Sequence, residues 1–148
     1  MVWGCMAASG VGKLVFIDGK MDRFAYKNII AQYLSLSKDI FGLEDNFIFQ
    51  QDNYPKHKSA YVTDYFEKTG INQLEWPSQS PDLNPIEHVW DHVKRALRNA
   101  APKTIHELKE IIPQIWSQIT PDYCKKLVYI MPKRVKEVAQ AKGRNTSF

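Results

Sequence analysis

One segment, residues 47–76, constrains the fold more than any other part of the sequence. It opens with a short apolar run at 47–50, continues with a helical pattern from about Ser59 to Lys68, and ends with a second strand-like run at 71–76. A short apolar run between polar neighbours is typical of a buried strand, and Gly70 is a typical helix stop. Strand, helix and strand with short links predict parallel pairing through a right-handed crossover. The expected fold class is therefore α/β.

Further elements are predicted on the N-terminal side of this segment. Two β-prone runs, 2–8 and 13–17, flank a four-residue link that contains two glycines, and this pattern predicts a hairpin. A helix is expected from Met21 to a stop at Gly42. Its predicted apolar face consists of residues at helical spacing: Tyr26, Ile29, Ile30, Tyr33, Leu36 and Ile40.

The C-terminal half is predicted to be helical. Helices are expected to begin at Asn84-Pro85, at Thr104 and at Thr120-Pro121, where capping residues or a first-turn proline stand. Pro113 is expected to kink or shorten the second of these helices. The last stretch is expected to be interrupted at Pro132 and to end near Gly143.

Composition excludes several classes of protein. A chain of 148 residues that is 44% hydrophobic and 12% aromatic is not disordered, collagen-like or a coiled coil, and its length suits one domain. The sequence holds no apolar stretch of membrane-spanning length, so no membrane partner is expected. Cys5 and Cys124 share no metal-type spacing and are predicted to be buried free thiols.

Charge is unevenly distributed along the chain. Residues 1–92 contain 8 Lys and Arg against 12 Asp and Glu, whereas residues 93–148 contain 12 against 4. A basic half attracts polyanions, with nucleic acid as the first candidate. A solvated helical surface would have a similar composition, so charge alone leaves both interpretations open.

Two carboxylates are the main candidates for chemistry. Asp52 follows the predicted strand at 47–50, and Glu87 stands in the first turn of a later helix, with 34 residues between them. Ligand sites of α/β sheets lie at the carboxyl ends of strands, and two carboxylates brought together favour a divalent cation between them. Alternatively, Asp52 builds a turn, and Glu87 bonds back to Asn84 in a capping box.

The histidines carry weaker signals. His88 and His92 share a helix face, as zinc ligands do, but no third ligand is evident, and polar histidines on a solvated face explain them better. His57 either orients a ligand or caps the following helix, and the structural role is favoured.

Two motifs resemble those of a known family. Residues 51–57, Gln-Asp-Asn-Tyr-Pro-Lys-His, and residues 76–87, from Trp76 through Ser80-Pro81-Asp82 to Glu87, resemble the two core motifs of the Tc branch of mariner-superfamily transposases. The opening residues 1–5 and the ending 141–145 are also similar to that family. The resemblance covers nearly the whole chain, and the long proline-rich motif is highly specific.

This resemblance implies an RNase H-like mixed sheet flanked by helices, with an Asp-Asp-Glu catalytic triad. Such enzymes use two Mg²⁺ or Mn²⁺ ions to cut double-stranded DNA at transposon ends and to join it to a target, in a cut-and-paste transposition. Asp52 matches the second aspartate and Glu87 the glutamate, so both are expected to be metal ligands and catalytic. The implied localisation is the nucleus.

The resemblance also implies that part of the family's pattern is missing. The first catalytic aspartate of the family lies on a central strand before the hairpin, and that strand and the DNA-binding domains are not matched here. Residues 1–148 are therefore expected to be a partial catalytic domain, truncated at its N-terminus and inactive alone. Its unpaired sheet edges are expected to make it marginally stable or self-associating.

Two alternatives to an enzyme fragment remain open. One is a non-catalytic remnant that binds DNA through the basic half of the chain. The other is a protein that regulates intact transposases by forming mixed oligomers with them.

Overall fold

The computed structural model describes residues 1–77 and 80–140. The chain divides into two compact units. The first contains residues 1–5 and 12–80, and the second contains residues 6–11 and the chain from Pro81 onward.

The first unit carries most of the strands. A hairpin is formed by β1 (Val2–Ala7) and β2 (Gly10–Phe16), and its tip groups with the second unit. The elements that follow are α1 (Arg23–Ile29), a π-helical segment (Ile30–Leu34), α2 (Ser35–Phe41), β3 (Ile48–Phe49), α3 (Ala60–Thr69) and β4 (Asn72–Gln73).

The second unit is helical beyond the hairpin tip. A 3₁₀ turn (Pro81–Leu83) precedes four helices: α4 (Pro85–Ala100), α5 (Ile105–Ser117), α6 (Pro121–Tyr129) and α7 (Met131–Gln140). The predicted starts are confirmed, since Asn84, Thr104 and Thr120 occupy the N-cap positions. The shortening predicted at Pro113 is wrong, because α5 continues through that residue to Ser117. The predicted end near Gly143 lies outside the described residues.

The parallel pairing predicted for residues 47–76 is confirmed. Ile48 pairs with Asn72 and Phe49 with Gln73 in parallel register, with α3 between the two strands in sequence. Both strands are shorter than predicted, and Ile48 is 65% exposed rather than buried. Successive strand side chains point to opposite faces, so Phe47 and Phe49 pack against the core while Ile48 does not.

The predicted hairpin is confirmed with a tighter connection. Only Ala8 and Ser9 separate β1 from β2, because Gly10 already belongs to β2. Gly10 has a φ of +139°, a backbone conformation that favours glycine. With glycine there, β2 begins directly after the two-residue turn. In the described residues the hairpin and the β3–β4 pair form two separate two-stranded sheets.

The predicted helix at 21–42 is confirmed, but its apolar face is only partly correct. Tyr26, Ile29 and Ile30 are buried, whereas Leu36 and Ile40 are 45% and 53% exposed. The π-helical segment explains the difference, since it adds a residue to one turn and rotates the following face. The buried residues of this stretch are therefore Leu34, which ends the π segment, and Ser37 of α2.

The first unit has a core built mainly from α1, the π segment and α3. Its buried members are Met21, Tyr26, Ile29, Ile30, Leu34, Val62 and Phe66. Cys5, which belongs to this unit, and Cys124 of the second unit are free and buried, as predicted. No helix of the described residues is long and apolar enough to cross a membrane.

Candidate functional site

Asp52 lies just past β3, at the carboxyl end of a parallel strand, as predicted. Its side chain is 52% exposed. Oδ1 accepts a hydrogen bond from the backbone N–H of Tyr54 at 3.1 Å and one from Nδ1 of His57 at 2.6 Å. The predicted turn-building role is therefore real, and yet the other carboxylate oxygen accepts neither bond. A turn and an available ligand oxygen coexist on one residue.

His57 is held in an aromatic cage rather than at a helix end. Its ring stacks on Tyr26 with centroids 4.0 Å apart and meets the ring of Tyr54 edge-on at 5.4 Å. Burial lowers the pKa of His57, against the opposing effect of Asp52, and this shift favours the neutral ring. Because the carboxylate only accepts, the ring proton resides on Nδ1. Ser59, not His57, occupies the N-cap position of α3.

The residues on either side of Asp52 are tied to neighbouring elements. Tyr26 donates its hydroxyl to Oε1 of Gln51 at 2.5 Å, and Gln51 donates from Nε2 to Oε1 of Gln73 at 3.0 Å. Asn53 donates from Nδ2 to the carbonyl of Trp76 at 2.7 Å. These bonds join Asp52's immediate neighbours to α1, to β4 and to the chain just beyond β4.

Sequence reasoning assigned Tyr26 only to a helix face and missed its place beside Asp52. Tyr26 is 1% exposed, and burial raises the pKa of its hydroxyl, with the charge of Asp52 adding to the effect. A buried tyrosine needs a partner for its hydroxyl, and this requirement was the one available signal.

Glu87 lies in the first turn of α4, as predicted. Asn84 caps this helix with an extended backbone, and the N–H of Glu87 donates to the Asn84 carbonyl at 3.1 Å. The Asn84 side chain makes no capping hydrogen bond. The alternative interpretation of a capping box therefore lacks the hydrogen bond from the cap residue's side chain to the helix. A carboxylate in a first turn interacts favourably with the helix dipole.

A buried arginine of the second unit contacts His88, the residue that follows Glu87. Arg134 of α7 is 4% exposed, and its Nη1 donates to the Asp82 carbonyl at 3.1 Å and to Nε2 of His88. Burial and then the charge of Arg134 lower the pKa of His88. Arg134 was not predicted as a contact residue, because its spacing does not distinguish it from the surrounding basic residues.

The two histidines of α4 have different neighbours. His88 contacts Arg134, whereas the ring of His92 lies 5.4 Å from that of Tyr123. Across residues 1–77 and 80–140, no group of three or more His, Cys, Asp and Glu side chains is arranged to hold a metal ion. Asp52 and Glu87 belong to different units, and their joint role as metal ligands stays a prediction.

The second unit carries the basic surface predicted from the charge distribution. Its helices expose lysines and arginines along four elements and the intervening links: Lys94, Arg95, Arg98, Lys103, Lys109, Lys125, Lys126, Lys133 and Lys136. Within helices α4 and α7, Lys94 pairs with Asp91 at 3.4 Å and Lys133 with Glu137 at 3.9 Å. Such exposed pairs are weak, so they stabilise the helices little and leave most of the exposed lysines and arginines accessible to an anionic partner.

Comparison with known proteins assigns a family. The sequence model of the DDE superfamily endonucleases matches residues 3–109. The chain belongs to this family. It is similar over its whole length to the Tcb1 transposase of Caenorhabditis briggsae (38% identity) and the Tc1 transposase of Caenorhabditis elegans (37%). It spans 54% of the length of each.

Solved structures confirm the predicted RNase H-like fold of this member of the DDE superfamily. The catalytic domain of Mos1 transposase, solved with raltegravir and Mg, matches 99% of the chain with a TM-score of 0.85 at 18% identity, over 76% of the Mos1 chain. The Mos1 paired-end complex with Mn matches 99% of the chain with a TM-score of 0.82, over 44% of the Mos1 chain. The family model and the sequence relatives confirm the resemblance to Tc-branch transposases.

Proposed function

We propose that the chain is part of the catalytic domain of a cut-and-paste DNA transposase, whose chemistry is metal-dependent cleavage and transfer of DNA strands. The family match carries this proposal, because it includes the segment in which Asp52 follows a parallel strand with a half-exposed carboxylate. The relatives that match the whole chain are transposases by name.

Asp52 and Glu87 are the ligands proposed for Mg²⁺ or Mn²⁺. Magnesium in proteins is commonly held by one or two carboxylates together with substrate phosphates, so the donor types fit. Asp52 offers an oxygen that accepts neither of its hydrogen bonds, and Glu87 stands in a first helical turn. The Mos1 catalytic domain has been solved with Mg and with Mn.

The chain's own residues have distinct tasks in this proposal. A bound cation neutralises charge on the phosphoryl group and favours the ionised form of an attacking oxygen. Asp52 and Glu87 hold the cation, and the exposed lysines and arginines of α4–α7 bind the DNA backbone. The resemblance assigns two of the family's three acidic ligands, Asp52 and Glu87, so we expect these two residues to support cation binding without strand cleavage.

Calorimetric titration with MnCl₂ tests the metal proposal. Asp52→Asn and Glu87→Gln are each expected to weaken binding at least tenfold. Glu75→Gln and Glu110→Gln are matched controls on exposed carboxylates of the first and second units, and they are expected to bind as the wild type does. Equal affinity in all five proteins would contradict the proposal.

A non-catalytic DNA-binding remnant is the second candidate, and the basic surface of the second unit favours it. Its affinity for duplex DNA would be independent of divalent metal and unchanged by Asp52→Ala or Glu87→Ala. The slope of log affinity against log salt concentration, about 0.9 per neutralised phosphate, would give the number of phosphate contacts. Metal-dependent affinity that falls in both variants would instead support the transposase site.

The nucleus is the proposed compartment, because genomic DNA is the proposed substrate. A fluorescent fusion of the chain in a eukaryotic cell tests this directly. Exclusion of the fusion from the nucleus would contradict it.

A further inference from the structure

The His57 ring directs its single described side-chain hydrogen bond at Asp52. Nδ1 lies 2.6 Å from Oδ1 of Asp52, whereas Nε2 is buried without a hydrogen-bond partner. The side chain is 15% exposed. A ring that is buried in this way, with one nitrogen unsatisfied, is retained at a cost. The side-chain hydrogen bond to Asp52 is therefore the contact through which His57 is expected to act.

Aromatic neighbours fix the orientation of this ring independently of Asp52. Tyr26 stacks on it with an interplanar angle of 25°, and Tyr54 meets it at 67°. Tyr26 is in turn anchored by burial and by its hydroxyl bond to Gln51. The donor at Nδ1 is thus held in place before any ligand binds.

We propose that His57 is a positioning residue for Asp52, which holds Oδ1 so that the second carboxylate oxygen is presented to the divalent cation. This inference rests on the proposed function, in which Asp52 is a metal ligand. An unrestrained aspartate side chain would lose rotamer freedom on binding, and the existing bond removes part of that loss. Hydrogen-bond partners of ligating side chains contribute about 10–100-fold to metal affinity.

Two variants separate the hydrogen bond from the packing of the ring. His57→Phe keeps a ring against Tyr26 and removes the donor. His57→Asn loses the ring but places an amide N–H near the position of Nδ1. In Mn²⁺ titrations, His57→Phe is expected to lose about 10–100-fold in affinity, and His57→Asn to recover most of it. Urea midpoints are expected in the opposite order, with His57→Asn the less stable.

Opposite orders of Mn²⁺ affinity and of stability in these two variants distinguish a positioning role of His57 from a purely packing role of its ring. If Mn²⁺ affinity follows stability, or if His57→Phe binds as the wild type does, the inference is overturned. The Asp52→Asn variant, measured in the same titrations, separates the proposed metal-binding role of Asp52 from the positioning role of His57. Wild-type affinity in Asp52→Asn overturns the proposed function, whereas loss there with none in His57→Phe overturns only the role of His57.

A metal-free measurement completes the test. Long-range ¹H–¹⁵N correlation spectra of the imidazole are expected to show the proton on Nδ1 in the wild type and mainly on Nε2 in Asp52→Ala. A neutral wild-type ring whose only proton is on Nε2 overturns the inference, whatever the metal titrations show. If the wild type binds no Mn²⁺, the proposed function fails, and the spectra alone decide whether His57 restrains Asp52.

Discussion

Asp52 shows how one side chain serves the backbone and stays available for chemistry. Its Oδ1 accepts from Tyr54 and His57, so the loop after β3 is closed by the same residue that the proposed site needs. The structural and functional interpretations of this aspartate, which the sequence left as alternatives, are not exclusive. A carboxylate has two oxygens, and each interpretation uses a different one.

Tyr26 is expected to support this loop through its hydroxyl. Tyr26→Phe removes the bond to Gln51 and keeps the ring against His57, so the free energy of unfolding is expected to fall by about 0.5–1.5 kcal/mol. Urea denaturation followed by tryptophan fluorescence measures this change. Tyr61→Phe, on a ring that is 41% exposed, is the control and is expected to be neutral. Equal effects of both substitutions would argue against a role for the hydroxyl.

At the level of elements, capping signals predicted the structure better than periodicity did. Asn84, Thr104 and Thr120 stand where helices begin, because a cap acts through its own local hydrogen bonds and backbone conformation. Leu36 and Ile40 were assigned to the core because the pattern assumed 3.6 residues per turn throughout. A π turn breaks that assumption, and no local sequence signal marks it.

The candidate site follows the same division. The place of Asp52 after a parallel strand was predictable, since sheet topology follows from short links and strand pairing. The Tyr26–His57 stack was not, because it joins residues 31 positions apart through tertiary packing. Contacts of that kind depend on which faces meet, and the sequence carries no direct record of them.

Strand β2 is expected to require glycine at position 12. A Cβ there would lie 2.7 Å from Sγ of Cys5 and 2.8 Å from both Cζ of Phe41 and Oγ of Ser37. Gly12→Ala is therefore expected to cost about 1–3 kcal/mol of stability through overpacking. Thermal or urea unfolding measures the cost. Lys13→Ala, at an exposed neighbouring position, is the control, and a stable Gly12→Ala protein would show that the strand can shift.

Helix α7 is expected to be held to the Asp82 segment by Arg134. Arg134→Met keeps the apolar stem but removes the donors to the Asp82 carbonyl and to His88, at an expected cost of about 1.5–3 kcal/mol. Amide exchange of α7 is expected to accelerate in the same variant. Lys136→Met, on the exposed side of α7, serves for comparison. Unchanged exchange in Arg134→Met would mean that apolar packing alone anchors the helix.

At the scale of the chain, the two compact units contribute different candidate residues. The first contains Asp52 and the parallel strand pair, and the second contains Glu87 and the exposed basic side chains. The charge asymmetry of the sequence anticipated this second contribution, because net charge is a property of composition and needs no tertiary structure. The division into units was not anticipated, since the chain has the length of one ordinary domain.

Self-association is the property expected of the molecule as a whole. The described residues form two two-stranded sheets, and such pairs are marginal in water unless further strands or helices cover them. Strand β3 also exposes Ile48 at 65%, and Leu74 just past β4 is 45% exposed. Exposed apolar side chains beside a sheet edge favour pairing with another chain, so sedimentation velocity is expected to show dimers or larger species as concentration rises.

A charge on the strand is expected to reduce that association. Ile48→Lys places a lysine on β3, where it opposes edge-to-edge pairing, and the variant is expected to sediment mainly as a monomer. Ile105→Lys is the matched control, because Ile105 is 74% exposed but lies on helix α5. A wild-type chain that stays monomeric and unfolds cooperatively well above room temperature would contradict the expectation. Equal loss of association in both variants would place the contact elsewhere than the sheet.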